Sequence, residues 1–270
     1  MVLSSAEHPW CASTPKRMTD REGGAGLRSV GTALDVLECF ATDGELGVSD
    51  IARRLGVAKS TAHRVLTTLS SRGFVEQDED SGLYRLGIHL YELGQLAQAR
   101  NEIRHVALPT LREVARVTGH TVNFGVPDGA DIVFVERLET QAGVRILGHV
   151  GRRLPAHCTS SGKAIAAHNA ALDRARRDAG FPPRLRGTIR REEVWDAELE
   201  KVRRSGFAMS TDASFEGVSS VAVPVIIDRV ALASVSIFGP TASVGPDIER
   251  VVPVLTAAAR RIARAATQLR

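Results

Sequence analysis

The stretch from Val48 to Leu69 constrains the fold more than any other part of this 270-residue chain. Apolar residues recur there at helical spacing in two short segments. Gly56 lies between the two segments, where a tight turn favours a residue without a side chain. Ser49 is the predicted N-cap of the first helix, and the second helix is predicted to run from about Lys59 to Ser71. The spacing therefore predicts a helix-turn-helix.

The outward face of the second predicted helix carries hydroxyl and basic side chains. Between Asp50 and Leu69 the chain has four basic residues and no acidic one. This pattern favours a recognition helix for the major groove of DNA, and an ordinary helical hairpin with a solvated basic face is the alternative. Arg64 is the predicted guanine contact because its guanidinium matches O6 and N7. Arg53 and Arg54, on the supporting helix, are predicted to contact phosphates. The full set of predicted DNA-binding residues is Arg53, Arg54, Lys59, Ser60, Thr61, His63, Arg64 and Thr67.

Further elements surround the helix-turn-helix. An amphipathic helix is predicted over Val30–Phe40, and two short β segments follow the second helix. An acidic turn over residues 78–82 joins these segments. Three helices and a hairpin predict a winged helix-turn-helix domain over residues 28–87. Residues 1–27 show no periodicity and are predicted to be a disordered arm.

The segment after the wing has a short apolar seam. Leu86, Leu90, Leu93 and Ala97 repeat at intervals of four, three and four residues. Two heptads do not establish a coiled coil, so this pattern predicts a linker helix over residues 88–101 that helps to pair two chains. A helix that packs only on its own domain is the alternative.

From residue 102 onward, strand-like and helix-like segments alternate. The connections are mostly hairpin-like, which predicts a largely antiparallel sheet with helices packed on it and the α+β class for the chain. A second domain is therefore predicted over residues 102–270. Its predicted strands are 121–126, 131–138, 144–150, 207–210, 218–227 and 230–238. Its predicted helices are 102–118, 162–169, 191–205 and 246–268.

Two of the predicted strands carry a face of small and hydroxylic side chains. Ser220 begins such a face in one strand, and Ser234, Ser236 and Phe238 form it in the next. The opposite face of each strand is apolar and must face the core. The serine face suits the wall of a buried cavity, although solvent-exposed serines would give the same pattern.

The loop over residues 151–163 precedes a predicted helix and has four possible functions. Its hydroxyl groups can cap the helix, and the free N–H groups there favour an anion. A phosphate-binding loop is disfavoured because Cys158 and Ala164 replace the required glycine and hydroxyl residue. His157 beside Cys158 lacks an oriented third group for nucleophilic catalysis and lacks companions for a metal site. The loop is therefore predicted to bind a small molecule, with no cofactor and no enzymatic activity.

Composition limits where such a protein acts. No apolar run approaches the length of about 20 residues that spans a bilayer, and no secretory signal is visible. The three cysteines are too widely spaced for a disulfide framework. A cytoplasmic protein with reduced thiols is predicted. The formal net charge of +4 is too small to identify a partner.

Four segments together resemble the IclR family of bacterial transcriptional regulators. They are the helix-turn-helix at 48–69, GRRLPAHCTSSGKAIAAH at 151–168, VRRSGFAMSTDASFEGVSSVAVPV at 202–225 and ASVSIFGP at 233–240. The resemblance covers nearly the whole chain from Leu27 onward. It implies a winged helix, a linker helix and an effector domain similar to the GAF fold. It also implies homodimers or homotetramers that bind operator DNA and sense small organic acids or aromatic compounds, here predicted as a repressor.

The resemblance also implies which residues form an effector pocket. The family often has a second acidic residue directly after the position of Asp212, and this chain has Ala213 there. The family also often has a hydroxyl residue in the pocket two positions after Ser236, and this chain has Phe238 there. Both departures imply a less polar pocket that suits an aromatic anion. The predicted ligand-binding residues are His157, Cys158, Thr159, Ser160, Ser161, Gly162, Asp212, Ser220, Ser236 and Phe238. A ligand-independent DNA-binding protein and an enzyme that uses Cys158 and His157 remain the alternatives.

Overall fold

The computed structural model describes residues 27–41, 43–99, 101–139 and 151–268. The predicted arm, apart from its last residue, and the predicted strand 144–150 lie outside the described residues. The chain divides into two compact units between residues 100 and 101. Within the described part of the chain, no helix has the length and apolar character needed to cross a bilayer.

The N-terminal unit has the order of elements of a winged helix-turn-helix. Apolar residues from all three of its first helices and from both wing strands form one small core. The two wing strands pair in antiparallel fashion, with Val75 opposite Leu86. Its elements are α1 (Arg28–Cys39), α2 (Val48–Leu55), α3 (Lys59–Ser70), β1 (Val75–Gln77), β2 (Tyr84–Leu86) and α4 (Ile88–Ala99).

The turn between α2 and α3 confirms the predicted role of glycine, whereas the predicted cap is wrong. Gly56 has a φ of +64°, a left-handed conformation in which a β-carbon would be strained. Helix α2 begins at Val48 with Gly47 as its N-cap, so Ser49 lies in the first turn and caps nothing. The carbonyl of Gly47 accepts the N–H groups of Asp50 and Ile51, which starts the helix two residues earlier than predicted.

The C-terminal unit contains a six-stranded antiparallel sheet in the order β5-β4-β3-β8-β7-β6. Its strands are β3 (Thr121–Asp128), β4 (Asp131–Leu138), β5 (Arg153–Pro155), β6 (Ala208–Thr211), β7 (Val218–Ile227) and β8 (Val230–Pro240). Its helices are α5 (Glu102–Thr118), α6 (Ser160–Ala166), α7 (Ala170–Asp178), α8 (Glu192–Ser205), α9 (Thr241–Val244) and α10 (Ile248–Thr267). The predicted α+β class with an antiparallel sheet is confirmed.

Helices cover both faces of this sheet. Leu111 of α5 and Leu255 of α10 belong to the apolar cluster that contains Val235, on one face of β8. Ile165 of α6 and Trp195 of α8 belong to a second cluster on the opposite side. Because both faces are covered, the serine-bearing face of β7 and β8 lies inside the unit and not in solvent.

The helix after the predicted binding loop begins and ends earlier than predicted. Thr159 is the N-cap of α6, and its hydroxyl accepts the N–H of Gly162 at 2.9 Å. The predicted cap by a loop hydroxyl is therefore confirmed, although α6 starts at Ser160 and not at Gly162. Asn169 does not end α6 but caps α7, which the sequence analysis missed because that helix has few apolar residues.

Candidate DNA-binding and ligand-binding sites

Helix α3 presents its predicted DNA-binding side chains to solvent. Ala62 and Leu66 are fully buried and fix the helix to its own domain. The opposite face stays open to a partner molecule, because all eight predicted DNA-binding residues on α2 and α3 are exposed. The major groove of DNA is wide enough to admit an α-helix.

The two predicted phosphate contacts on α2 form ion pairs within their own unit. The guanidinium of Arg53 lies 2.5 Å from the carboxylate of Asp50, and that of Arg54 lies 2.6 Å from Asp43. Exposed ion pairs contribute little to stability, so a DNA phosphate can replace either carboxylate at small cost. The two arginines therefore remain suitable for backbone contacts.

A cavity opens between the sheet and α6 in the C-terminal unit. It encloses about 640 Å³ of empty space, a volume that includes the space at its open mouth. Its walls are mainly apolar with a set of hydroxyl groups. The lining residues are Asn123, Phe134, Arg137, Arg152, Leu154, Cys158, Thr159, Ser160, Ser161, Ser210, Ala213, Ser214, Phe215, Val218, Ser220, Ser236 and Phe238.

The floor of the cavity consists of two rows of cross-strand partners. In the first row, Asn123 of β3 pairs with Arg137 of β4 on one side and with Ser236 of β8 on the other. In the second row, Ser220 of β7 stands between Phe238 of β8 and Ser210 of β6. Cross-strand partners lie on the same face of a sheet, so all these side chains point toward α6.

The first turn of α6 contacts this floor through paired serines. The hydroxyl of Ser160 donates to Ser220 Oγ at 2.8 Å, and that of Ser161 donates to Ser236 Oγ at 3.2 Å. A hydroxyl that accepts one hydrogen bond keeps its own proton for another partner. Ser220 and Ser236 can therefore donate to a molecule in the cavity without losing their bonds to α6.

Two arginines that the sequence analysis missed belong to the cavity wall. The guanidinium of Arg137 lies 4.5 Å from the ring centre of Phe238, and that of Arg152 lies 4.5 Å from the ring centre of Phe215. Burial, with Arg184 and Arg137 nearby, lowers the pKa of Arg152. An arginine side chain nevertheless stays charged in proteins. The register shift between β3 and β4 brings Arg137 beside Asn123 on the cavity face, so alternation along β4 does not indicate its position. No local pattern indicates the position of Arg152 either.

Of the ten predicted ligand-binding residues, seven line the cavity and three do not. His157 faces away from it and donates from Nε2 to the carbonyl of Pro182 at 3.0 Å. Gly162 packs against the backbone of Ala156, where a β-carbon would lie 2.1 Å from the carbonyl oxygen. Asp212 accepts hydrogen bonds from Arg186 at 2.8 Å and from the N–H of Gly217 at 2.7 Å. These three residues do not line the cavity, and their predicted contact with a ligand stays a prediction.

The protonation states of the neighbouring His157 and Cys158 are those of structural residues and not those of a catalytic pair. Burial raises the pKa of the Cys158 thiol to about 11. Burial also lowers the pKa of His157 to about 4, although the Pro182 carbonyl has the opposite effect. Both groups are thus neutral near pH 7, where a nucleophilic cysteine requires a thiolate. Among the residues the structure describes, no three side chains are grouped as potential metal ligands.

The buried imidazole of His157 predicts a loss of stability in mild acid. The unfolded chain binds a proton near pH 6.5, whereas folded His157 does so only near pH 4. The folded state binds fewer protons between these values, so its stability falls as the pH falls from 6.5 to 4. Thermal unfolding at a series of pH values measures this effect.

Substitution of His157 by glutamine is the control for this prediction. Glutamine keeps an N–H group for the carbonyl of Pro182 but does not titrate. The variant should show a shallower decrease of the unfolding midpoint across the same pH interval. An unchanged pH dependence in the variant would assign the effect to other groups.

Comparisons with known proteins agree with this division into two sites. The family description "IclR helix-turn-helix domain" matches residues 29–79, and "Bacterial transcriptional regulator IclR C-terminal" matches residues 95–264. Among curated proteins, the HTH-type transcriptional regulator XynR of Escherichia coli is similar. It is 34% identical over 202 residues, which cover 74% of this chain and 80% of XynR.

Solved structures show the same fold. An IclR transcriptional regulator from Alicyclobacillus acidocaldarius matches with a TM-score of 0.76 and 30% identity, covering 88% of this chain and 98% of that one. An IclR homolog from Microbacterium hydrocarbonoxydans, solved with 4-hydroxybenzoate, matches with a TM-score of 0.75 and 29% identity over 87% of this chain and 98% of that one. The chain belongs to the IclR family of bacterial transcriptional regulators, with a DNA-binding unit followed by an effector-binding unit.

Proposed function

We propose that this regulator is a repressor whose operator binding is controlled by a small aromatic carboxylate in the cavity of the C-terminal unit. The observation that carries this proposal is the combination of Arg137 and Arg152 with three phenylalanines in the wall of one cavity. A cavity of this composition offers charge for an anionic group and apolar surface for a ring. The protein would act in the cytoplasm, where operator DNA is located.

Arg137 and Arg152 bring positive charge to the cavity wall, and Arg137 also pairs with the exposed Glu139 at 2.8 Å. Guanidinium groups bind carboxylates through charge-assisted hydrogen bonds, which are stronger than neutral ones. Ser220 and Ser236 add hydroxyl donors from the floor. Asp212 is held by Arg186 outside the cavity wall, so its carboxylate does not oppose the anion. The complex of the Microbacterium relative with 4-hydroxybenzoate supports an aromatic carboxylate as the class of effector.

Two other functions are less well supported. An enzyme that uses Cys158 would need a thiolate, and burial keeps that thiol protonated. A ligand-independent DNA-binding protein would not need a cavity lined by two partly buried arginines. We therefore propose that the chain binds a small molecule without catalysing a reaction.

The control of operator binding by effector can be tested with an arginine variant. Replacing Arg152 with methionine keeps much of the apolar stem but removes the charge-assisted bonds. This is expected to weaken the binding of benzoate or 4-hydroxybenzoate by about 10- to 100-fold. Calorimetry on the full chain measures the affinity, and release of a labelled operator measures the response.

The matched control is the replacement of Arg186 with methionine. Arg186 is exposed and pairs with Asp212 away from the cavity wall. This variant should bind the effector as the wild type does. Equal affinities of the wild type and the Arg152→Met variant, or no binding of any aromatic acid to the wild type, would contradict the proposed function.

The functional species is proposed to be a homodimer, or a dimer of dimers, paired in part through α4. No residue of α4 is buried, and Leu96 is 64% exposed. Leu93 of the predicted seam is also exposed. An exposed row of large apolar side chains on one helix is typical of an interface.

A charge in this row is expected to separate the protomers. The Leu96→Glu variant should sediment as a monomer at a protein concentration where the wild type is a dimer, because the carboxylate would lose its hydration in the interface. The Gln95→Glu variant adds the same charge at the neighbouring position and should remain dimeric. A monomeric wild type in the presence of operator DNA would refute the proposed pairing.

A further inference from the structure

We infer that Ser210 recognises a hydroxyl group at the end of the effector that lies far from its carboxylate, an inference that rests on the effector binding proposed above. Five buried side-chain atoms in the described part of the chain have no hydrogen-bond partner, and two of them belong to residues that line the cavity. These two are Asn123 Oδ1 and Ser210 Oγ. An unpaired buried polar atom is costly, so a ligand that bonds to it gains affinity.

The two unpaired atoms lie at different ends of the cavity floor. Asn123 is the cross-strand neighbour of Arg137. Arg137 also lowers the pKa of Arg152, which indicates that the two guanidinium groups share one region. Asn123 therefore belongs to the end that binds the carboxylate. A half-turn of its amide would present the NH₂ group, which can donate to that anion.

Ser210 lies at the other side of the floor. It is on the edge strand β6, two strands away from Phe238 of β8. The guanidinium of Arg137 lies over the ring of Phe238. Neighbouring strands are about 4.8 Å apart, so Ser210 and Phe238 are separated by roughly 10 Å across the sheet. A hydroxyl placed opposite the carboxylate on an aromatic ring can approach Ser210. A hydroxyl adjacent to the carboxylate remains near the arginines.

Ser210 Oγ lacks a hydrogen-bond partner, and a hydroxyl group of the ligand can supply one. Ser160 donates to Ser220, so the proton of Ser220 remains available beside Ser210. A ligand hydroxyl can accept the proton of Ser220 and donate its own proton to Ser210 Oγ. The resulting chain runs from Ser160 through Ser220 and the ligand to Ser210, and no polar atom in it is left unpaired.

The test compares three probes, benzoate, 4-hydroxybenzoate and 2-hydroxybenzoate, by calorimetry on the full chain. We expect the wild type to bind 4-hydroxybenzoate about tenfold more tightly than benzoate, the usual effect of one or two neutral hydrogen bonds. 2-Hydroxybenzoate should gain no comparable advantage. In the Ser210→Ala variant, the advantage of 4-hydroxybenzoate over benzoate should disappear.

The Ser234→Ala variant is the matched control. Ser234 is also fully buried with an unpaired hydroxyl oxygen, but it does not line the cavity. This variant should keep the preference for 4-hydroxybenzoate. A wild type without that preference, or a preference that survives in Ser210→Ala, would overturn the inference and leave the proposed function intact. Failure of all three probes to bind would instead overturn the proposed aromatic effector.

Discussion

Replacing Arg64 with alanine is expected to reduce affinity for the operator by at least about 30-fold. One bidentate contact between arginine and guanine contributes about 1–3 kcal/mol of discrimination. The proposed homodimer would make the contact once in each half of a palindromic operator, so the combined loss would be about 2–6 kcal/mol. Arg64 is exposed on α3, so the substitution should not affect folding. Titration of the full chain with operator and with scrambled DNA measures the change.

The pattern of the loss distinguishes base recognition from general charge attraction. The Arg64→Ala variant should lose its preference at one base pair in each half-site. The Arg53→Ala variant, which removes an equal charge from α2, should weaken operator and scrambled DNA alike and reduce the salt dependence of binding. If both variants changed the two DNAs by the same factor, Arg64 would be a phosphate contact and the proposed groove assignment would fail.

Replacing Gly162 with alanine is expected to destabilise the C-terminal unit by about 3 kcal/mol or more. The added β-carbon would meet the carbonyl oxygen of Ala156 at 2.1 Å and its Cα at 2.4 Å, and backbone atoms have little room to move. An effect of this size lowers the midpoint of thermal unfolding by roughly 10 °C in a unit of this length. Separation of α6 from Ala156 should also displace the cavity wall and abolish the response to effector.

The Gly239→Ala variant tests whether this effect comes from the close contact. Gly239 lies in β8 of the same unit, and a β-carbon there would meet only side-chain atoms, none nearer than 3.5 Å. This variant should unfold within a few degrees of the wild type. If Gly162→Ala were equally stable, α6 would have to be more adaptable than its packing against Ala156 indicates.

The predicted elements were most accurate where local patterns are strong. The predicted bounds of β4 and β7 equal those observed, because both strands are rich in β-branched residues and turns delimit them. Helix α7 and strand β5 were missed. Strand β5 has only three residues, and α7 is so polar that its sequence shows no apolar stripe. Both elements depend on contacts with distant parts of the chain.

The sequence by itself determined the two-part organisation and the family, because helix periodicity, turn glycines and motif residues are local properties. It also indicated the serine-bearing face that lines the cavity. Only the tertiary structure decided which side chains meet there. Arg152 and Phe215 are 63 positions apart in the sequence, and only the fold brings them together. It likewise turns His157 and Asp212 toward Pro182 and Arg186. The direction of a loop side chain depends on its packing partners, which no spacing along the chain encodes.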